Sequence, residues 1–125
     1  MDNMSQNIEI GKFGEKIAAN HLKRNGYRIL ENNFRCKFGE IDIIALHRDT
    51  MVFVEVKTRK NNLFGTPAQS VNQAKQQRII KTAFYYLKKH RKFDKNIRFD
   101  IVEVWHEDGK IKNTNIIPNA FQLFG

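Results

Sequence analysis

Gly39-Glu40-Ile41-Asp42-Ile43-Ile44-Ala45-Leu46 and Met51-Val52-Phe53-Val54-Glu55-Val56-Lys57-Thr58-Arg59, separated by His47-Arg48-Asp49-Thr50, decide how this chain folds. Both runs are filled with β-branched and apolar residues and the segment between them is polar, which predicts two strands joined by a hairpin turn. A turn at Arg48-Asp49 sets Leu46 opposite Met51, and counting outward sets Asp42 opposite Glu55 and Glu40 opposite Lys57, all on one face. Directly opposed Cβ atoms in an antiparallel pair sit roughly 4.5 to 5.5 Å apart, and like charges placed that way are destabilising. At about 5 Å and an effective dielectric near 20, two carboxylates repel by roughly 3 kcal/mol, enough to raise one pKa or to recruit a cation. Mg²⁺, or Mn²⁺ in its place, suits the pair, because such ions take oxygen from one or two carboxylates and leave other positions to water and phosphate. The plainer alternative is an ion-pair ladder, with Glu40 bonded to Lys57 and the two acids tolerated at the surface.

Outward from the hairpin, Ile8 to Asn25 has helical periodicity, with Ile10, Phe13, Ile17 and His21 down one side and Gly26 as C-cap. Glu15 stands on the edge of a second stripe made by Ala18, Ala19 and Leu22. The spacing by itself favours a solvated glutamate near a helix N-terminus; the other reading is a carboxylate aimed at the Asp42/Glu55 face. Tyr27 to Arg35 reads as a first strand, and Lys60 to Gly65 as a basic loop. Thr66-Pro67 is a helix start, with Thr as N-cap and Pro at the first helical position. The helix runs to about Lys89, with Val71, Ala74, Ile79, Ala83 and Leu87 suited to burial and Lys75, Arg78, Lys81, Lys88 and Lys89 on the basic side. Ile97 to Trp105 is a fourth strand with Asp100 and Glu103 on opposite faces. Asp108-Gly109 turns into Lys110 to Ile117, and Pro118 to Gly125 is an apolar tail that caps the sheet or meets a second copy, leaving a homodimer open. The order predicts one α/β sandwich on a mixed central sheet, spanning residues 1–125 with 1–7 disordered.

The composition narrows the partner. Lys and Arg number 22 against 13 acids in 125 residues, a formal net charge of +9, which favours a polyanion such as nucleic acid. No Trp- and Leu-rich amphipathic segment accompanies the charge, so a membrane surface is the weaker match. The single cysteine, Cys36, cannot form an internal disulfide, which fits a reducing compartment, and the four histidines lack zinc-ligand spacing. The N-terminus has neither the basic region nor the apolar run of a secretory signal, and a cytoplasmic protein is expected.

Asp42 followed by Glu55-x-Lys57, in this element order, resembles the PD-(D/E)xK nuclease superfamily and its Holliday junction resolvases. More narrowly, the chain resembles the YraN-like, endonuclease-like family through Gly11-Lys12-Phe13-Gly14-Glu15, Gly26-Tyr27-Arg28-Ile29-Leu30, Asn33-Phe34-Arg35, Gly39 to Ala45, Phe53 to Arg59 and Arg98-Phe99-Asp100-Ile101-Val102. Ile41 stands where the superfamily's name has proline. The resemblance implies a nuclease-type fold of order α-β-β-β-α-β, Asp42 and Glu55 as metal ligands, Lys57 as catalytic lysine and Glu15 as a further active-site carboxylate.

On that reading Mg²⁺ at Asp42 and Glu55 would polarise a scissile phosphate of nucleic acid, with DNA favoured and branched or damaged structures among the candidate substrates. Lys57 would neutralise charge on the phosphoryl oxygens or position the attacking water. Arg35, Arg59, Lys75 and Arg78 are the candidates for backbone phosphate contacts. The alternatives are a nucleic-acid-binding module with a weak or vestigial metal site, and a basic partner of a ribonucleoprotein.

Overall fold

The alternation of apolar residues that defines the hairpin extends into a five-stranded sheet. The computed structural model describes residues 3–60, 71–92 and 94–121, with side chains from Gly11 onward. Its elements are α1 (Asn3–Arg24), β1 (Tyr27–Cys36), β2 (Gly39–His47), β3 (Thr50–Lys60), α2 (Gln73–His90), β4 (Asn96–Glu107) and β5 (Lys110–Phe121). The strands lie in sequence order, antiparallel throughout except for β3 and β4, which are parallel and joined through α2. A parallel neighbour requires a crossover of this kind, whereas two residues suffice for the antiparallel turns.

β3 is the centre of the fold and feeds both layers. Met51 and Phe53 pack with Ile79, Ala83 and Leu87 of α2. Val52 and Val54 pack with Ala18 and Leu22 of α1 on the opposite face. A strand covered on both sides carries a continuous apolar run, which is how residues 51–54 read. The hairpin register is the expected one, Leu46 opposite Met51, with His47 and Thr50 closing the turn. Asp108 and Gly109, both at positive φ, make the β4–β5 turn of the Asp-Gly kind.

The helices depart from the sequence pattern in instructive ways. α1 is described from Asn3, ahead of the expected start at Ile8; of the lead-in at residues 1–7, Met1 and Asp2 lie outside the described residues and the rest enters the helix. Gly26 ends it at φ 87°, as expected of a C-cap. Phe13, on the helix side it shares with Ile17 and His21, is 50% exposed, while Gly14, Ala18 and Leu22 are buried. The reason is Gly14: a Cβ there would collide with the Thr58 side chain, so α1 crosses β3 at its glycine and turns Phe13 outward. The loop at 61–65 and the helix start at Thr66-Pro67 lie outside the described residues. α2 itself begins at Gln73, capped by Asn72, whose side chain accepts from the Lys75 N–H at 2.9 Å. Ala74 is exposed rather than buried. The tail from Pro118 continues β5 to Phe121, which is buried and stacked on Phe99 with centroids 5.0 Å apart.

Asp100, fully buried, ties the sheet together. It accepts from Arg98 Nε at 2.8 Å, Tyr27 Oη at 2.9 Å and the Asn119 N–H at 2.9 Å, linking β1, β4 and β5. Burial, followed by the nearby Asp100 charge, pushes the Tyr27 phenol up to about 12. A buried carboxylate is tolerated when paired and hydrogen-bonded in this way. Among the described residues no helix is long and apolar enough to cross a membrane.

Candidate active site

The β2–β3 ladder stops at Ile43 opposite Val54, although β3 remains paired with β4 as far as Lys60 opposite His106. The two strands diverge just short of Asp42 and Glu55. Ile41 and Ile44, three apart, both join the cluster beneath α2, so the strict alternation of β2 breaks at this point. Asp42 sits in the break, and its Oδ2 accepts the Val56 N–H at 2.8 Å, taking the place of a strand partner.

Glu55 is 7% exposed and carries two lysines on one oxygen. Lys75 Nζ is 2.6 Å from Oε1 and Lys57 Nζ is 3.6 Å from it. Both lysines are partly exposed. The alternative Glu40–Lys57 ladder is absent among the described residues: Glu40 pairs instead with Arg35 at 3.0 Å, on the exposed surface of the β1–β2 pair. The ion-pair ladder is therefore not how these charges are arranged.

These groups line one cleft of about 440 Å³. It brings together Glu15 from α1, Glu40 and Asp42 from β2, Glu55, Lys57 and Arg59 from β3, and Lys75 from α2. Gly14 makes this possible, because the close crossing it permits places Glu15 over the end of β3. Of the residues expected to contact phosphate, Arg59 and Lys75 line the cleft. Arg35 is engaged with Glu40 at its border, and Arg78 packs its Cβ behind Gly39, outside the lining.

The electrostatics follow from this crowding. Burial, then Glu55, and more weakly Glu15, push the Asp42 carboxyl up to about 7, against the opposing pull of the Val56 N–H. Burial, assisted by the Lys75 and Arg59 charges, lowers the Lys57 pKa despite Glu55 beside it. For Lys75 burial works against the charge, but the hydrogen bond to Glu55 prevails and raises its pKa. Burial first, and the neighbouring Glu55 charge second, thus make Asp42 resist ionisation.

The donor set fits a divalent cation of the Mg²⁺ kind with a sparse protein shell. Among the described residues no three His, Cys, Asp or Glu side chains converge tightly enough to hold a metal by themselves. Asp42 and Glu55 would be the protein ligands, with water and substrate oxygens completing the shell.

Lys75, a candidate phosphate contact by sequence, has a partner in Glu55 that the spacing does not reveal. Its spacing makes it one cation on the solvated face of α2, yet it sits in the first turn, where the helix dipole disfavours positive charge. That mismatch is the available signal, and Glu55 is the compensation.

The family profile described as "Uncharacterised protein family UPF0102" matches residues 14–104, which contain Glu15 and all of β1 to α2. A UPF0102 protein of Syntrophus aciditrophicus is 52% identical, covering 96% of this chain and 94% of its own length. One from Clostridium botulinum is 49% identical (94% and 97%), and one from Caldicellulosiruptor bescii 50% identical (90% and 97%). At this similarity and coverage the chain belongs to the UPF0102, or YraN-like, family.

Proposed function

We propose that the protein is a metal-dependent endonuclease of the PD-(D/E)xK kind, hydrolysing phosphodiester bonds in nucleic acid, with DNA as the favoured substrate. The observation that carries this reading is the convergence of Asp42, Glu55 and Lys57 at the point where β2 and β3 diverge, inside a cleft edged by cations. The element order through β4 and the net charge of +9 support it.

Bound Mg²⁺ would supply Lewis acidity and charge neutralisation at the phosphate. The chain's own groups do the rest. The Val56 N–H fixes the Asp42 carboxylate, and the two lysines fix Glu55, so neither acid has to be ordered when substrate arrives. Lys57 presents a compact ammonium to the phosphoryl oxygens. Its lowered pKa also suits it to pass a proton to a leaving oxygen. Arg59 and Lys75 hold the flanking backbone without reading sequence.

A second reading rests on the Lys75–Glu55 contact at 2.6 Å, which already neutralises much of the charge that would recruit a cation. On it the protein binds nucleic acid and does not cut. A cleavage panel of single-stranded, duplex, flap and junction DNA with Mg²⁺ or Mn²⁺ separates the two. The nuclease reading expects cutting that Glu55→Gln and Lys57→Ala each reduce by about 10²-fold or more. Intact substrates across the panel, or cutting unchanged in both variants, would support the binding module.

A further inference from the structure

A larger cleft, about 800 Å³, lies on the outer face of α2 against the tip of the β1–β2 hairpin. Three aromatic rings open into it: Phe84 at 47% exposure, Tyr85 at 39% and Phe38 at 38%. Large apolar side chains left exposed together on a globular domain mark an interaction surface. Lysines are interleaved with them. Lys81, Phe84, Tyr85, Lys88 and Lys89 follow the i, i+3, i+4, i+7, i+8 pattern of one helical face, and Lys37 closes the hairpin side. Among the described residues no acid lines the cleft.

The platform is braced from beneath. Tyr85 lies with its ring centroid 6.2 Å from Phe34 and 6.3 Å from Phe38, and Phe34 in turn meets Tyr86 edge-on at 5.1 Å. Lys37 sits over the Phe38 ring at 5.2 Å, and Lys89 over Phe34 at 5.8 Å. Rigid rings beside a row of ammonium groups are the arrangement that receives unpaired bases, whose π faces stack while lysines follow the phosphates. A duplex hides those faces. A second copy of this chain is a poor occupant, since a two-fold contact would set the same lysines against each other.

We propose that this cleft binds a single-stranded segment of nucleic acid by base stacking on Phe84, Tyr85 and Phe38, and delivers its backbone to the Asp42/Glu55 cleft. The delivery clause rests on the nuclease reading; the stacking does not. The geometry suits it: Lys75 and Tyr85 are ten positions apart on α2, about 15 Å along its axis at 1.5 Å per residue. That is roughly four nucleotides at the ~3.4 Å spacing of a stacked strand. Phe38 and Glu40, at the two ends of a three-residue stretch, line one cleft each, so the two clefts adjoin.

The test is fluorescence anisotropy in EDTA, so that no cutting intervenes, with labelled oligothymidylate of about twelve nucleotides and a duplex of equal length. The wild type is expected to prefer the single strand. Phe84→Ala and Tyr85→Ala should each weaken single-strand binding about tenfold with little change for duplex, and Phe84→Trp should retain it. Thermal melts confirm that each variant is folded, and Phe84, the most exposed of the three rings, is the variant least able to disturb the fold. The proposal is overturned if folded Phe84→Ala and Tyr85→Ala bind the single strand as the wild type does, or lose single strand and duplex equally. It is also overturned if the wild type sediments as a dimer that Phe84→Ala dissociates, or if the substitutions abolish binding to anionic vesicles while sparing the oligonucleotide. Wild-type protein that prefers the single strand in EDTA, loses that preference in Phe84→Ala and Tyr85→Ala, and yet cuts no strand with Mg²⁺ or Mn²⁺ refutes the nuclease reading alone.

Discussion

Asp42→Asn should make this protein more stable, and only at neutral and alkaline pH. Asparagine keeps an oxygen for the Val56 N–H, bonded at 2.8 Å, and deletes the charge. Burial, Glu55 and Glu15 push the Asp42 carboxyl from 3.8 to about 7. At ~1.4 kcal/mol per pH unit, that gap amounts to about 4 kcal/mol. The folded protein holds this proton more tightly than the unfolded chain, so folding takes up a proton between about pH 4 and pH 7. The stability attributable to the protonated carboxyl is therefore complete below about pH 4 and lost once the pH has risen through about 7. The variant has no such loss. Urea unfolding should show the two proteins nearly equal near pH 4 and the variant ahead by up to ~4 kcal/mol near pH 8, or roughly 10–20 °C in Tm. Mg²⁺ should recover some of the wild-type deficit, about 2.7 kcal/mol at a hundredfold excess over Kd, and none in the variant. A stability difference that is the same near pH 5 and pH 8, or a variant less stable than wild type near pH 8, would refute the reasoning.

Other outcomes follow from the same geometry. Gly14→Ala should cost about 1–3 kcal/mol in urea unfolding through overlap with Thr58, and Thr58→Ser, which removes the obstructing methyl, should restore most of it. Arg98→Leu leaves the Asp100 carboxylate buried without its ion-pair partner and should cost roughly 3–5 kcal/mol, whereas an exposed control such as Lys23→Leu should change stability little. Lys75→Ala removes the ammonium competing for Glu55, so Mn²⁺ affinity measured by calorimetry should rise roughly fivefold, the ~1 kcal/mol of a partly exposed ion pair, while affinity for DNA falls.

The hairpin was legible because the short polar turn between two apolar runs fixes their register, Leu46 opposite Met51. Where its ladder ends was not legible. That depends on Asp42 out-competing a neighbouring strand for the Val56 N–H, a contest between a side chain and a backbone that no hydrophobic pattern encodes. Phe13 lies outward for a related reason. Its hydrophobicity argued for burial, but the closest helix–sheet approach is decided by the smallest residue, and Gly14 turned the helix about itself. Asp42 and Glu55, placed on one face by counting the register, line one cleft together with Glu15. The ion pair of Lys75 and the hydrogen-bond network of Asp100 were not legible, because their partners Glu55, Tyr27 and Asn119 lie on other elements. The stacking surface escaped notice for the same reason, since Phe84 and Tyr85 are ordinary core residues by composition and become a platform only when α2 presents them outward.

The proposed function requires that Asp42 and Glu55 together hold a divalent cation. Anomalous scattering from crystals soaked in Mn²⁺ tests it most directly. One strong peak is expected within bonding reach of an Asp42 oxygen and a Glu55 oxygen, with Lys75 Nζ displaced from Glu55, and no peak in Asp42→Asn crystals. A cleft without manganese at saturating concentration, with Lys75 still seated on Glu55, would contradict it.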